Sequence, residues 1–563
     1  MIAISSHGGA PKIDGSSAQG LAWHQLAFIY GIASVVLSAL SYSLGFFNTT
    51  LWACACSALR SSLDHDDSVK PSISKFADSK LGPIGLVSAL LIGIWARWSF
   101  IDQPMRLDEA YSFLTFVNTE WTNVFLYPFP NNHVLNSILE RISSEVFGPE
   151  PFAIRLPAFI SGIALIAATY YLGKRFGGAY NGIVAALLVA IWPYLIFFST
   201  NGRGYSLASL LTVLMAIVCV DDNGKVRNPR IFLLSLLAAL GMLTMPSMLF
   251  AIVGVMLWVS AALWLETPSY RQVWVDLIAP FAAFFLVVTL VFYTPVTLIS
   301  GGLQGVMANK EARPLPFWHF AHQIGPHIEV AANALVVDIP RMVALILIVF
   351  VIVGEVQLLR KKNYTATLFL PLVVLGSMAV LFLKRSIPFP RTWIFLIPVV
   401  LVTAGFGVAG AMRTLRLNVQ WSVIILLVVL AGLFSFYVVS RNAIVGYEET
   451  GTAPDMPQIA DKLQGIVLPG DHVCALPPIN VISAYYLRRE RHTAEVTNIG
   501  VKERIFFVHN KENRPTGGTW IGWKTVAEAG SLIADVWSSA DVPKIVTDPA
   551  MDCWRIGIDG SNE

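Results

Sequence analysis

Long apolar runs broken by short polar stretches dominate this chain. With about 20 consecutive apolar residues taken as one bilayer crossing, the pattern predicts twelve spans. They lie near residues 24–48, 82–101, 154–173, 180–198, 205–220, 231–245, 247–265, 277–299, 342–359, 367–383, 392–411 and 421–439. After residue 439 the rhythm changes to short apolar runs such as "RIFFVH", separated by polar turns and by Pro-Gly-Asp at 469–471. Such a texture predicts a small α/β domain over 445–563. A charged linker is expected at 58–81, and the stretch 24–57 fits either one crossing or two. The fold class is therefore a polytopic α-helical membrane protein of about twelve transmembrane helices with a small C-terminal α/β domain.

Composition agrees with this reading. The 563 residues are 55% hydrophobic and 13% charged, and the mean hydropathy is +0.63. A net charge of +3 without any Lys/Arg block gives no reason to expect a nucleic-acid partner. Residues 1–20 lack the basic start and cleavage site of a secretory signal, so the apolar stretch after them is expected to be retained. None of the five cysteines has metal or redox spacing. Cys474 and Cys553 would be able to bridge in an extracytoplasmic domain, although unpaired thiols are the expectation.

Charge placement points to chemistry at one face. The short basic loops "GKRFGG", "DDNGKVRNPR", "RQVW", "RKKN" and "RTLR" fall on one side, and by the positive-inside rule that side is cytoplasmic. The loop "QPMRLDEAYSF" after the span at 82–101, and the C-terminal domain, then lie outside. Arg203 in "STNGRGYSL" and Lys384, Arg385 and Arg391 in "KRSIPFPRTWIF" share that outer side. Forked guanidinium donors there suit a phosphate group; snorkelling toward lipid headgroups is the alternative. Asp108 and Glu109 are adjacent and point in different directions, so Arg106 cannot serve both. A carboxylate held near basic groups stays ionised and can take a proton from an attacking hydroxyl.

Four stretches in order, "RLDEAYSF", "NNHVLNSIL", "AIRLPAFISGIALIAATYYLGKRFGG" and "WPYLIFFSTNGRGYSLASLL", resemble the GT-C membrane glycosyltransferases that use polyprenyl-phosphate sugars. Relatives of that class include protein O-mannosyltransferases and the lipid A aminoarabinose transferase. The resemblance covers residues 82–300 well, the later spans by layout only and the C-terminal domain least. It implies a core over 82–440 whose first outer loop, 102–153, carries the catalytic acid, here Asp108 with Glu109 beside it. The resemblance also matches Arg203 and Tyr205 to an R-x-Y stretch of the class, and the expected substrate-binding residues are Arg106, Tyr111, Asn132, His133, Arg203, Tyr205, Lys384, Arg385 and Arg391. The loop 300–341 matches one that covers the lipid-donor entrance. "PNNHV" departs from the His-Pro-Pro of many relatives, so Asn132 and His133 do not simply inherit those roles.

The expected activity is inverting transfer of a sugar from a polyprenyl-phosphate donor to a glycan, lipid or protein hydroxyl at the outer face of a membrane, expected to be the bacterial inner membrane. No cofactor and no metal are expected, because cationic side chains can neutralise a phosphomonoester leaving group. His319, His322 and His327, interleaved with Phe317, Trp318 and Phe320, fit an interfacial amphipathic helix better than a metal site. The alternative function is a polytopic transporter of a lipid-linked or anionic substrate, although such proteins place ionisable groups near span centres.

Overall fold

The computed structural model describes residues 73–128, 131–226, 229–266, 268–302, 313–412, 417–464, 466–467, 471–475, 479–487, 505–510, 524–537 and 552–555. The expected span at 24–48 lies outside these residues. Helix α1, Ile73–Trp98, begins within the stretch expected to be a linker, and the compact unit Leu81–Glu563 holds everything that follows.

Each apolar run from residue 82 onward falls on a helix. Eight of the helices described are long and apolar enough to cross a membrane: Leu81–Trp98, Pro151–Gly177, Pro246–Glu266, Tyr270–Ile299, Arg341–Arg360, Tyr364–Lys384, Pro390–Met412 and Trp421–Ser440. The run at 180–198 is two helices, α4 (Ala179–Ile191) and α5 (Pro193–Ser199), bent by 65°, which makes nine if the pair is one crossing. The runs at 205–220 and 231–245 form the shorter helices Tyr205–Cys219 and Ile231–Thr244. The count therefore falls below the eleven expected over this stretch, because the apolar pattern registers composition without showing where a helix stops.

The bend has an identifiable cause and cap. Pro193 has no N–H to give the carbonyl four residues back, Val189. Arg97, fully buried near the end of α1, donates through Nη2 to Val189 O (3.2 Å) and through Nη1 to Ala190 O (2.8 Å) and Gly93 O (3.2 Å). A cation thus sits on the negative end of the broken helix, and the redirected α5 delivers the turn 200–204. Elsewhere the helices meet through glycine. A Cβ on Gly254 would lie 2.5 Å from Val373 O, and one on Gly407 2.0 Å from Phe350 O, the close backbone approach typical of packing in lipid.

Helix α2 (Leu107–Ser112) and helix α3 (Val134–Phe147) form the first loop, and Phe317–Leu335 is the helix of the long loop 300–341. Phe320, Ile324, His327 and Ala331 turn the long-loop helix toward the protein, while Phe317 and Trp318 are exposed. That is the amphipathic helix expected there.

The C-terminal region carries a five-stranded sheet of order β3-β4-β2-β1-β5, from β1 (His472–Ala475), β2 (Ile505–Asn510), β3 (Lys524–Ala529), β4 (Leu532–Trp537) and β5 (Asp552–Arg555). β1 and β2 are parallel; the other pairs are antiparallel. Strand alternation puts Val473, Ala475, Phe506, Val508 and Ala534 on the face covered by helix Met456–Gln464. The free-thiol expectation is overturned: Cys474 is disulfide-bonded, and the residue opposite it across the β1–β5 pair is Cys553. Helix Ile479–Tyr486 docks this region on the first loop, where Tyr485 and Val481 pack with Met105, Phe113 and Ile154 and the Tyr486 hydroxyl accepts from Met105 N (2.8 Å).

Candidate active site

Successive residues on a helix point about 100° apart, and α2 uses this to send Asp108 and Glu109 to different places. Glu109 is fully buried. It accepts from Arg155 Nε (3.0 Å), Gly202 N (2.7 Å) and Arg106 N (2.9 Å), and also pairs with Arg155 Nη2. Arg155 in turn donates to Ile101 O (2.7 Å), Gln103 O (2.6 Å) and Pro104 O (3.1 Å). Glu109 thereby ties the first loop to the helix Pro151–Gly177 and to the turn 200–204.

Arg106 also faces inward. Its guanidinium donates to Tyr447 O (2.5 Å), Ile444 O (2.7 Å) and Val445 O (2.9 Å) and lies 4.5 Å over the Phe197 ring. Burial lowers its pKa to about 10, the largest influence on it. Leu107 N adds a bond to Gly451 O (3.1 Å). The segment after the last span, 443–452, is thus strapped to the first loop.

Asp108 faces the other way, with 17% of its side chain exposed, and pairs with Arg391 Nη2 at 3.1 Å. Arg391 is the second residue of the turn Pro390–Phe395. Its Nε donates to the Tyr205 hydroxyl (2.7 Å), its Nη1 to Glu449 O (3.1 Å) and its backbone N to Glu449 Oε1 (3.0 Å). The Tyr194 hydroxyl donates to Glu449 Oε2 (2.6 Å). Burial lifts Glu449 above the usual carboxylate range against the pull of Tyr194 and Arg391.

Arg203 completes the cluster from the turn 200–204. It bonds Ser112 Oγ, Asn131 O (2.7 Å) and Asn131 Oδ1 (2.5 Å), and its Nη1 reaches Asp108 O at 3.5 Å. None of these partners is an anion. Its Nε has no partner, although the side chain is buried, and among the described residues no carboxylate forms an ion pair with it. Beside it, His133 Nδ1 accepts from Gly204 N (2.9 Å), which places the ring proton on Nε2, facing Arg203 Nη2 at 3.3 Å. Burial, with Arg203 and Arg391 nearby, holds His133 well below the usual histidine range. Burial likewise lifts Glu140, which accepts from Asn136 Nδ2 (2.7 Å), well above the usual carboxylate range.

Of the residues singled out in the sequence, the fold brings together Asp108, His133, Arg203, Tyr205 and Arg391. Asn132 is buried in its own loop, donating to Val124 O (2.9 Å) and Leu126 O (2.7 Å); the neighbouring Asn131 touches Arg203 instead. Tyr111 packs on Phe116. Lys384 is exposed, and Arg385, in the left-handed region at φ 50°, gives its carbonyl to Leu315 N (2.8 Å). Among the described residues, no hydrogen bond, ion pair or ring contact joins Tyr111, Lys384 or Arg385 to Asp108 or Arg391. Ser112, Asn131, Tyr194 and Glu449 were missed. "YEET" directly after the last span was the available signal for Glu449, of the same kind as the carboxylates of "RLDE".

His327 accepts from Trp393 Nε1 (3.0 Å), which links the long-loop helix to the turn bearing Arg391. Among the described residues, no three His, Cys, Asp or Glu side chains converge as a cation site.

The architecture defines a class. The chain has a GT-C-like fold, and residues 134–296 match the model of the dolichyl-phosphate-mannose-protein mannosyltransferase family. It is similar to ArnT from Cupriavidus metallidurans, whose apo structure aligns over 80% of this chain and 97% of that one with TM-score 0.53 and 12% identity. The structure of the same protein bound to undecaprenyl phosphate aligns over equal shares at the same identity, with TM-score 0.54. An oligosaccharyltransferase from Archaeoglobus fulgidus aligns over 72% of this chain and 59% of its own at TM-score 0.44 and 13% identity, too distant to carry an argument. No curated protein matches the chain in sequence.

Proposed function

We propose that this protein transfers a sugar, hexose or pentose, from a polyprenyl-phosphate donor to an acceptor hydroxyl at the extracytoplasmic face of a membrane, with inversion. The proposal includes the layout expected from the sequence, about twelve spans with 445–563 on the active side.

One observation carries the reading. Arg203 is a buried cation with an orphaned donor and, among the described residues, no carboxylate within ion-pair distance, and it stands beside a carboxylate that is itself reachable from solvent. A phosphate oxygen would satisfy the orphaned donor of Arg203, with Arg391, already paired to Asp108, lending charge nearby. In the transfer, the acceptor oxygen bonds to the anomeric carbon as its proton passes to Asp108. The bond from that carbon to the phosphate oxygen breaks, and its electron pair leaves with the polyprenyl phosphate. His133, neutral and carrying its proton on Nε2, adds a further donor at the phosphate. Glu109, Arg106 and Asn132 hold the loop that presents Asp108.

Binding of undecaprenyl phosphate to the purified full chain tests the anion site, and sugar release from dolichyl-phosphate mannose, used as the probe donor, tests the chemistry. Binding that both Arg203→Ala and Arg391→Ala leave unchanged would overturn the reading.

A further inference from the structure

Arg391 is the one cation of this cluster that is already answered by carboxylates, and it has two of them. Asp108 holds Nη2 at 3.1 Å, while Glu449 lies along the opposite edge, with Oε1 3.9 Å from Nη1 and 3.0 Å from the backbone N. Tyr205 occupies Nε, so every edge of the guanidinium has a protein partner.

Glu449 does not stand there by accident of a free side chain. Tyr194 from the redirected helix α5 fixes its other oxygen at 2.6 Å. Arg106 grips the carbonyls of residues 444, 445 and 447 just before it, and the Tyr447 hydroxyl bonds Asp338 at the end of the long loop. A segment from beyond the last span is held on both sides so that one carboxylate meets one arginine.

We propose that Glu449 is a positioning residue of the transfer site, which holds the Arg391 guanidinium against Asp108 and offsets its charge. The inference rests on the glycosyltransferase reading above. Without Glu449, the whole charge of Arg391 falls on Asp108 and on any bound phosphate. Asp108 then becomes a weaker base, and the phosphate is held more tightly. With Glu449 present, donor affinity is moderated and Asp108 keeps its basicity.

The test compares Glu449→Gln with wild type and with Arg391→Ala, using the full chain in detergent or nanodiscs. Gln keeps the size and a hydrogen-bonding oxygen but removes the charge. Undecaprenyl phosphate is expected to bind Glu449→Gln about threefold to tenfold more tightly, while mannose release from dolichyl-phosphate mannose at saturating donor falls about tenfold. Glu449→Asp should restore part of both. A merely structural role predicts weaker or unchanged binding together with a lower unfolding temperature, and that outcome overturns the proposal. If Arg391→Ala weakens binding while Glu449→Gln leaves both binding and release unchanged, the proposal for Glu449 fails and the anion site stands. If neither Arg391→Ala nor Arg203→Ala affects binding, the site reading itself fails, and the role of Glu449 with it.

Discussion

Glu109→Gln should damage the protein by unfolding it rather than by removing a base. The carboxylate accepts from two backbone N–H groups and two positions of Arg155, all buried. A glutamine offers one acceptor oxygen, and its amide hydrogens face the remaining donors. Breaking a buried ion pair by changing one partner costs about 3–5 kcal/mol. Arg155 keeps the carbonyls of Ile101, Gln103 and Pro104, so we expect a value near the lower end, about 3 kcal/mol. The assay is the apparent unfolding midpoint of purified protein at one fixed scan rate, because heat unfolding of such proteins is often irreversible. Combining Glu109→Gln with Arg155→Met should recover part of the loss, since the stranded charge is gone. Full stability in the single variant, with turnover alone reduced, would refute the reasoning and return Glu109 to the chemistry.

Asp108→Asn, at a partly exposed position, should lower sugar release on the order of 100-fold or more while undecaprenyl phosphate still binds; near-normal release removes it as the base. Arg203→Lys should weaken undecaprenyl phosphate binding because the fork is lost, and Arg203→Ala should weaken it further, by about 2–4 kcal/mol; free exchange of Lys for Arg would indicate a snorkelling side chain. His133 is held neutral in the fold, well below its ordinary value of 6.5. Below that value the unfolded chain binds a proton that the folded one does not, so stability is fully present above it and declines as pH falls toward the folded pKa. Unfolding midpoints measured downward from neutral pH should show this decline, and it should be smaller in His133→Asn; equal slopes in the two proteins would exclude it.

The spans were legible because hydropathy over 20 residues needs no knowledge of neighbours. That Asp108, Arg203 and Arg391 share one side was legible too, since all three stand at span ends. Partners were not. Nothing local distinguishes Asp108 from Glu109, and their separation into a solvent-facing acid and a buried clamp depends on Arg155 and Gly202, which the fold brings from elsewhere. Arg106 reads as a site cation until the carbonyls of residues 444–447 arrive to take its donors. Asn131 and Asn132 are indistinguishable as a pair in sequence, and a single turn sends one to Arg203 and the other into its own loop. Nothing in the sequence sets Arg97 apart, because its acceptors Val189 O and Ala190 O are free only where Pro193 breaks another helix.

The strap of residues 443–452 also imposes an order on biosynthesis. Arg106 must wait for acceptors that lie 338 to 341 residues further along the chain, which at roughly 5–20 residues per second means on the order of tens of seconds of synthesis. During that interval Arg106 lacks the carbonyls that take its donors, and Asp108 and Arg203 have no finished loop behind them. A nascent chain that stalls before its last span therefore has the acid and the Arg203 cation but not the frame that aligns them. Such a truncated product should be both inert and readily recognised as incomplete.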